Sequence, residues 1–184
     1  SAQLYNPSPI DVAGIFSGST GIGAGMSHAC AIVSGAVQCW GSNASGQIGD
    51  GTTQRRTTPV TATGLESGAA GIATLSGQTS HTCAVMVSGA ARCWGANAWG
   101  QVGDGSLITQ TVPVSVVGLD SGVAALSGGQ THTCALMTDG AVKCWGGNSR
   151  GQLGNGYFGA PATPQNVGNT LQPRIFLPTL GRVQ

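Results

Sequence analysis

Short apolar stretches alternate with small polar turns along most of the chain, and this pattern predicts β-hairpins rather than helices. In the third of three similar segments, residues 135–137 and 141–143 flank the loop 138–140. A three-residue loop that ends in Gly is a common hairpin closure, because the Gly adopts the left-handed conformation. The second segment has an equal loop at 87–89, and the first has the two-residue turn Ser34-Gly35. A strand led by Pro is expected after each hairpin, at 59–64, 113–118 and 164–168, and a fourth copy of this strand is expected at 9–14.

The hairpins belong to a repeat. Equivalent histidines, at 28, 81 and 132, are 53 and then 51 residues apart. A fixed period of this length predicts an array in which each unit buries its apolar face against its neighbours. About four short strands per unit is the content of one propeller blade. The predicted organisation is an N-terminal segment with a Pro-led strand (1–13), three repeats (14–63, 64–117 and 118–168) and a Pro-containing C-terminal tail (169–184).

Each repeat carries two cysteines, and counting outward from the hairpin closure places them directly opposite each other. If the closing pair is hydrogen-bonded, the cysteines fall on a non-hydrogen-bonded rung, where Cα atoms approach to about 4.5 Å, near the short end of the range for a disulfide. A metal site is the less favoured alternative, because one His and two Cys per repeat give three ligands where structural zinc normally takes four. We therefore expect no metal and three disulfides: Cys30–Cys39, Cys83–Cys93 and Cys134–Cys144.

The composition narrows the class of protein. The 184 residues include 7 Lys and Arg and 6 Asp and Glu, for a net charge of +1. No basic patch is visible, so a nucleic-acid partner is not expected, and no apolar run has the length of a transmembrane segment. The start Ser1-Ala2-Gln3 is compatible with a mature end left after signal removal. An even cysteine set in repeated pairs indicates an oxidising compartment, and we expect an extracellular or cell-surface protein.

The third repeat carries the motif GQTHTCAL at 129–136, DGAV at 139–142, Trp-Gly-x-Asn at 145–148 and GQLG at 151–154. With its two sister copies, it resembles the regulator of chromosome condensation repeat family over roughly 7–168. The resemblance implies an all-β fold of propeller blades, which in that family usually close as seven-bladed rings. The cysteine pairs depart from the eukaryotic pattern and look like a bacterial, exported type. Family members include a nucleotide-exchange factor, chromatin binders and a secreted β-lactamase inhibitor, so the fold alone does not select a function.

The repeated polar and aromatic residues are expected to have structural roles. We expect no catalytic residue and no cofactor. Asp50 and Asp104 have Asn155 as their counterpart, as expected for a turn position. We expect each repeat histidine to bond a neighbouring blade's backbone and each repeat tryptophan to pack between blades: His28, His81, His132, Trp40, Trp94 and Trp145. Trp99 and Arg150 occupy a turn position that varies between copies, and they are candidate partner contacts.

Three propeller-type blades are too few for a closed ring alone, since rings use about four to eight. The apolar island Ile175-Phe176-Leu177 in the tail is a further candidate contact, because such a peptide can fill a groove or extend a sheet edge. We expect a non-enzymatic extracellular structural or assembly protein with protein partners, whose blades are completed by other copies of itself or by a larger surface complex. The alternative is a secreted protein-binding or inhibitory module that recognises a protein target through its blade loops.

Overall fold

Three four-stranded antiparallel sheets make up the fold in the computed structural model, which describes residues 8–75 and 80–167. The described residues contain no helix, and so none that could cross a membrane. Blade 1 consists of β1 (Ser19–Ala24), β2 (His28–Val33), β3 (Ala36–Gly41) and β4 (Arg56–Thr61). Blade 2 consists of β5 (Ala69–Leu75), β6 (His81–Met86), β7 (Ala91–Gly95) and β8 (Gln110–Ser115). Blade 3 consists of β9 (Val123–Gly128), β10 (His132–Met137), β11 (Val142–Gly146) and β12 (Gln165–Asn166).

The central hairpin of each blade closes as predicted. In blade 1, Ser34 and Gly35 form the two-residue turn with φ of 51° and 83°, the left-handed values that this turn requires at both positions. In blade 2, the amide of Met86 donates to the carbonyl oxygen of Ala90 at 2.9 Å, across a three-residue loop in which Gly89 has a φ of 77°. Blade 3 repeats the blade 2 geometry. The loop lengths read from the sequence therefore fix the strand register.

That register places the two cysteines of each blade opposite each other, and the three predicted disulfides are present. They join β2 to β3, β6 to β7 and β10 to β11, with Cα–Cα distances of 4.0, 4.1 and 4.1 Å. No cysteine is free among the residues that the structure describes. Each bond links the two inner strands of a sheet, so the central hairpin of each blade is held by a covalent link as well as by backbone hydrogen bonds.

The Pro-led strands form only where a partner strand precedes them. Pro59 lies in β4 and Pro113 in β8, at the outer edge of each sheet, where a residue without an amide proton is tolerated. The third copy is reduced to the two-residue β12. The prediction of a fourth copy at 9–14 was wrong, since residues 8–18 contain no strand. β4 pairs with β3 and β8 with β7, whereas 9–14 has no such strand before it in the described chain to supply a ladder.

The core lies between the sheets rather than within any one of them. One apolar cluster joins Ile32 and Ile48 of blade 1 to Trp94 of blade 2. A second joins Val102 of blade 2 to Trp145 of blade 3. Strand β5 contacts both β1 and β9, so the first strands of successive blades lie side by side. The described blades form an open array that does not close into a ring, and each blade is stabilised by its neighbour, as expected for repeat proteins.

Candidate functional site

The junction between blades 1 and 2 is built from a four-residue hydrogen-bond chain. The hydroxyl of Thr82 donates to the carbonyl oxygen of Gln47 at 2.9 Å, and the indole Nε1 of Trp94 donates to the same oxygen at 2.9 Å. Nε2 of His28 lies 2.9 Å from the Thr82 hydroxyl oxygen. Because that hydroxyl gives its proton to Gln47, His28 must be the donor, which assigns the Nε2–H tautomer. One backbone oxygen thus receives two side-chain donors from the next blade.

The junction between blades 2 and 3 repeats this chain one blade along. His81 Nε2 lies 2.7 Å from the hydroxyl oxygen of Thr133, which donates to the Gln101 carbonyl oxygen at 2.8 Å. Trp145 Nε1 donates to that oxygen at 2.9 Å. The sequence led us to expect backbone partners for the histidines, and for His28 and His81 this was wrong. The backbone groups of β6 and β10 are engaged in their own ladders, so the group that reaches across each junction is a threonine hydroxyl.

A fourth contact recurs at both junctions, near the outer edge of the sheets. The amide of Gly51 donates to the carbonyl oxygen of Thr111 in β8 at 3.0 Å, and the amide of Gly105 donates to that of Ala162 at 3.2 Å. Each blade therefore has two different faces. The leading face carries the Thr, the Trp and this carbonyl, and it meets the preceding blade. The trailing face carries the His, the Gln and this Gly, and it meets the following blade.

A glycine that sequence reasoning did not single out makes room for each buried indole. A Cβ atom on Gly49 would lie 2.7 Å from Nε1 of Trp94, and one on Gly103 would lie 2.5 Å from Nε1 of Trp145. Both glycines also have a positive φ, of 82° and 80°. The signal was present in the sequence, because the Gly-Gln-x-Gly run, with both of its glycines, occurs in all three repeats.

Burial keeps the junction histidines neutral. Burial lowers the pKa of His28 to about 4 and, with smaller repulsions from His132 and His28, that of His81 to about 3. The pKa of His132 is also lowered by burial. Removing a cation from water is costly, so the imidazolium form is disfavoured. These rings therefore serve as hydrogen-bond donors at neutral pH.

The Asn-x-x-Gly-Gln-x-Gly-(Asp/Asn)-Gly segment forms a turn that its Asn holds by hydrogen bonds within the segment. Asn43 is buried, its Oδ1 accepts the amide of Ile48 at 2.9 Å, and its Nδ2 donates to the carboxylate of Asp50 at 3.2 Å. In blade 3 the equivalent acceptor is the amide oxygen of Asn155, so the position needs an acceptor rather than an acid. No group of His, Cys, Asp or Glu side chains in the described ranges is arranged to hold a metal ion.

Asp50 has a further role in blade 1, where it pairs with Arg56. Arg56 Nε donates to Asp50 Oδ2 at 2.6 Å. Burial raises the pKa of Asp50, but hydrogen bonds from Thr52 and Arg56, together with the arginine charge, outweigh it and hold the pKa below its ordinary value. This carboxylate is therefore ionised and engaged, which does not suit general acid or base chemistry.

The two outermost faces of the array present the same repeat positions in a more exposed state, with Ala29 where the inner junctions have a threonine. On the leading face of blade 1, Trp40 and Ala29 are half-buried, whereas Trp94 and Trp145 are 0% exposed. On the trailing face of blade 3, His132 and Gln152 are half-buried, whereas the equivalent residues of blades 1 and 2 are buried. Trp94 and Trp145 thus pack within a blade junction, as predicted for the repeat tryptophans, whereas Trp40 lies at an outer face.

The two turn residues proposed as partner contacts lie together. Trp99, 48% exposed, and Arg150 line one cavity of about 410 Å³, which His132 and Gln152 also line. The cavity therefore opens on the trailing face of blade 3. Ile175, Phe176 and Leu177 lie outside the described residues. Large exposed apolar side chains that the sequence analysis did not select follow the turns of blades 2 and 3: Leu107, Ile108, Tyr157 and Phe158.

Antiparallel four-stranded sheets in series, with their first strands side by side and a buried Trp at each junction, define the class of β-propeller repeat proteins. Sequence comparison identifies the family within that class. The Regulator of chromosome condensation (RCC1) repeat matches residues 34–85, 88–136 and 123–152. The chain therefore belongs to the RCC1 repeat family, as its motif resemblance indicated.

Known relatives share the repeats at moderate identity. The chain is 31% identical over 149 residues to the ultraviolet-B receptor UVR8 of Arabidopsis thaliana, covering 79% of this chain and 33% of the relative. It is 36% identical over 131 residues to the probable E3 ubiquitin-protein ligase HERC6 of Homo sapiens, covering 69% and 12%. The chain thus spans a third or less of these two proteins.

Solved structures agree with the fold. Human WBSCR16 superposes with a TM-score of 0.72 at 25% identity, covering 83% of this chain and 39% of that one. Yeast RCC1 (Prp20), solved bound to Kap60, superposes with a TM-score of 0.70 at 19% identity, covering 82% and 37%. RCC1-like propellers are generally binding or regulatory modules, and the yeast structure is one example of a bound protein partner.

Proposed function

We propose that the chain is a non-enzymatic extracellular assembly protein whose outer blade faces are completed by blades of other copies. The observation that carries this proposal is the contrast in burial between equivalent residues. Trp94 is 0% exposed against blade 1, whereas Trp40, at the same position of the repeat, is half-buried on the leading face of blade 1. A half-buried indole at the repeat position that packs between blades elsewhere is a surface that a further blade of the same type fits.

The extracellular setting rests on the cysteines. All six are paired in three disulfides, at equivalent positions of the three blades. Such bonds persist in oxidising compartments and are rare where glutathione keeps thiols reduced. A bacterial, exported origin remains part of the proposal, supported by the departure of these cysteine pairs from the eukaryotic repeat pattern.

The non-enzymatic character rests on the state of the cysteines, of the two junction histidines His28 and His81, and of Asp50. The cysteines are oxidised, the two most buried histidines are neutral donors in blade junctions, and Asp50 is held by Arg56. A nucleophile or general base must be free to exchange a proton with a bound substrate. Each of these candidates is instead engaged in holding the fold.

A second function is favoured by a different observation. Trp99 and Arg150 share the cavity on blade 3, and Trp and Arg are the residue types most enriched at binding hot spots. The apolar side chains of Ile108 and Phe158, 71% and 84% exposed, add to the loop surface. These features support a secreted binding or inhibitory module that captures a protein target through its loops without self-association.

Light scattering of the full chain separates the two functions. The assembly function predicts a mass above that of one chain at micromolar concentration, rising with concentration. A folded chain that stays monomeric up to near-millimolar concentration overturns assembly and favours the binding module. The tail is tested in the full chain by Phe176→Ser. Loss of assembly in this variant supports the predicted contact role of the apolar island, and an unchanged mass excludes it.

A further inference from the structure

The inner junctions specify what an outer face would bind, because each uses the same four contacts. These are the histidine-to-threonine bond, the threonine-to-glutamine bond, the tryptophan-to-glutamine bond and the outer glycine amide bond to a strand carbonyl. On the trailing face of blade 3, the corresponding groups are His132, the backbone oxygen of Gln152 and the amide of Gly156. Gly154, which corresponds to Gly49 and Gly103, is exposed where those two are buried beneath an indole.

The leading face of blade 1 offers the complementary groups. Trp40 lies at the position of Trp94, and the carbonyl oxygen of Thr57 in β4 lies at the position of that of Thr111 in β8. Ala29 is paired across the hairpin with Trp40, as Thr82 is with Trp94. The two outer faces of the array are therefore the two halves of one more junction.

We propose that two copies of this chain associate head to tail, with the leading face of blade 1 of each copy seated on the trailing face of blade 3 of the other. This inference rests on the assembly function proposed above and specifies its interface. Two such junctions per dimer give a ring of six blades, within the four to eight that propellers use. A head-to-tail contact that closes on itself forms a ring rather than a fibre.

In this dimer, the indole Nε1 of Trp40 donates to the Gln152 carbonyl oxygen of the second copy, and the Gly156 amide donates to the Thr57 carbonyl oxygen. The two threonine contacts of the inner junctions are missing, because Ala29 has no hydroxyl to link His132 to Gln152. The intermolecular junction therefore repeats two of the four hydrogen bonds of the inner ones. A weaker and reversible association is the expected consequence of the lost threonine link.

This difference allows a gain-of-function test. Ala29→Thr restores the hydroxyl, which accepts from His132 and donates to Gln152 as Thr133 does at the inner junction. Two added hydrogen bonds at each of two junctions, four in all, tighten the dimer Kd on the order of 30- to 1,000-fold. The matched control is Ala29→Val, which has the shape of threonine without its hydroxyl, and it leaves the Kd unchanged or weakens it.

The gain must also depend on the proposed partner. In a His132→Ala background, Ala29→Thr loses the histidine half of its effect, and the difference between the two backgrounds is the coupling of the two residues. Trp40→Phe, which keeps an aromatic ring and removes Nε1, weakens the dimer. Sedimentation velocity of the full chain over a concentration series measures each Kd, and thermal unfolding at monomeric concentration verifies that each variant is folded.

The outcomes separate this inference from the function on which it rests. A dimer that tightens with Ala29→Thr, does not tighten with Ala29→Val and weakens with Trp40→Phe supports both. If the chain assembles but none of the three substitutions changes its Kd, the head-to-tail interface is overturned and the assembly function is retained. A chain that is monomeric throughout overturns both, and a series of masses beyond the dimer overturns the six-blade ring.

Discussion

The indole Nε1 of Trp94 in blade 2 donates a hydrogen bond to the backbone oxygen of Gln47 in blade 1, at a distance of 2.9 Å. Trp145 and Gln101 have the same relationship one blade further along. The bond orients a large apolar side chain at the centre of the junction, so that one residue supplies both packing area and alignment.

Trp94→Phe is expected to lower the free energy of unfolding by about 1–3 kcal/mol, because it removes this hydrogen bond and leaves unfilled volume in the core. The matched control is Trp40→Phe, at the same repeat position but half-buried, and its cost in the monomer is smaller. Urea unfolding at a concentration where the chain is monomeric measures both. Equal losses would contradict the assigned role of Trp94.

Thr82→Val is expected to cost about 1–3 kcal/mol, although the side chain keeps its shape. Without the hydroxyl, Nε2 of His28 becomes a buried donor with no acceptor. Thr82→Ser retains the hydroxyl and should recover most of the stability. Thermal unfolding of the two variants side by side tests this, and a serine variant no more stable than the valine variant would refute the hydroxyl's part.

Gly49→Ala is expected to be more destabilising than an ordinary glycine substitution. At Gly64, φ is 75° and a Cβ atom would meet nothing within 4 Å, so Gly64→Ala shows only the backbone cost of about 1–2 kcal/mol. At Gly49 the added methyl also overlaps the Trp94 indole, for about 1–3 kcal/mol more. Chemical denaturation compares the two, and similar midpoints would exclude the clash.

Stability should fall on mild acidification. The folded pKa values of His28 and His81, about 4 and about 3, lie below the ordinary 6.5, so the unfolded state binds more protons as the pH drops below 6.5. Each histidine then lowers the free energy of unfolding by about 1.4 kcal/mol per pH unit until its folded pKa is reached. Asp50, whose pKa is lowered, loses its contribution only below its ordinary 3.8.

Urea titrations at pH 7 and at pH 5 check this window. The His28→Gln variant serves as the control, because glutamine does not titrate and should flatten the dependence by one histidine's share. Equal stabilities of the parent chain at the two pH values would show that these rings are not kept neutral by burial.

Local features of the fold could be predicted from the sequence, because hairpin closure depends on adjacent residues. The loop around Gly89 fixed the pairing of Cys83 with Cys93, and the Asn155 replacement identified a turn. Contacts between blades could not be predicted from the sequence in the same way. The partner of His28 is 54 residues away, and nothing near the histidine in sequence distinguishes a threonine hydroxyl from a backbone group.

The strand predicted at 9–14 failed for a related reason. Its residues match Pro59 and its neighbours in type, but a strand is a property of two segments, and the described chain has no partner before it. The proximity of Trp99 and Arg150 could not be predicted from the sequence either, because the two residues belong to different blades and come together only when the blades pack.

Every junction draws half of its contacts from one blade and half from the next, and each repeat encodes one half of either kind. Copying repeat 2 or repeat 3 between two others would therefore create a new junction that already fits, with no compensating change elsewhere. Duplication or deletion of a repeat can lengthen or shorten such an array one unit at a time, whereas a unit of reversed polarity would not match its neighbours. The fixed direction of the hydrogen-bond chain thus restricts changes in the number of blades to the gain or loss of whole repeats in one orientation.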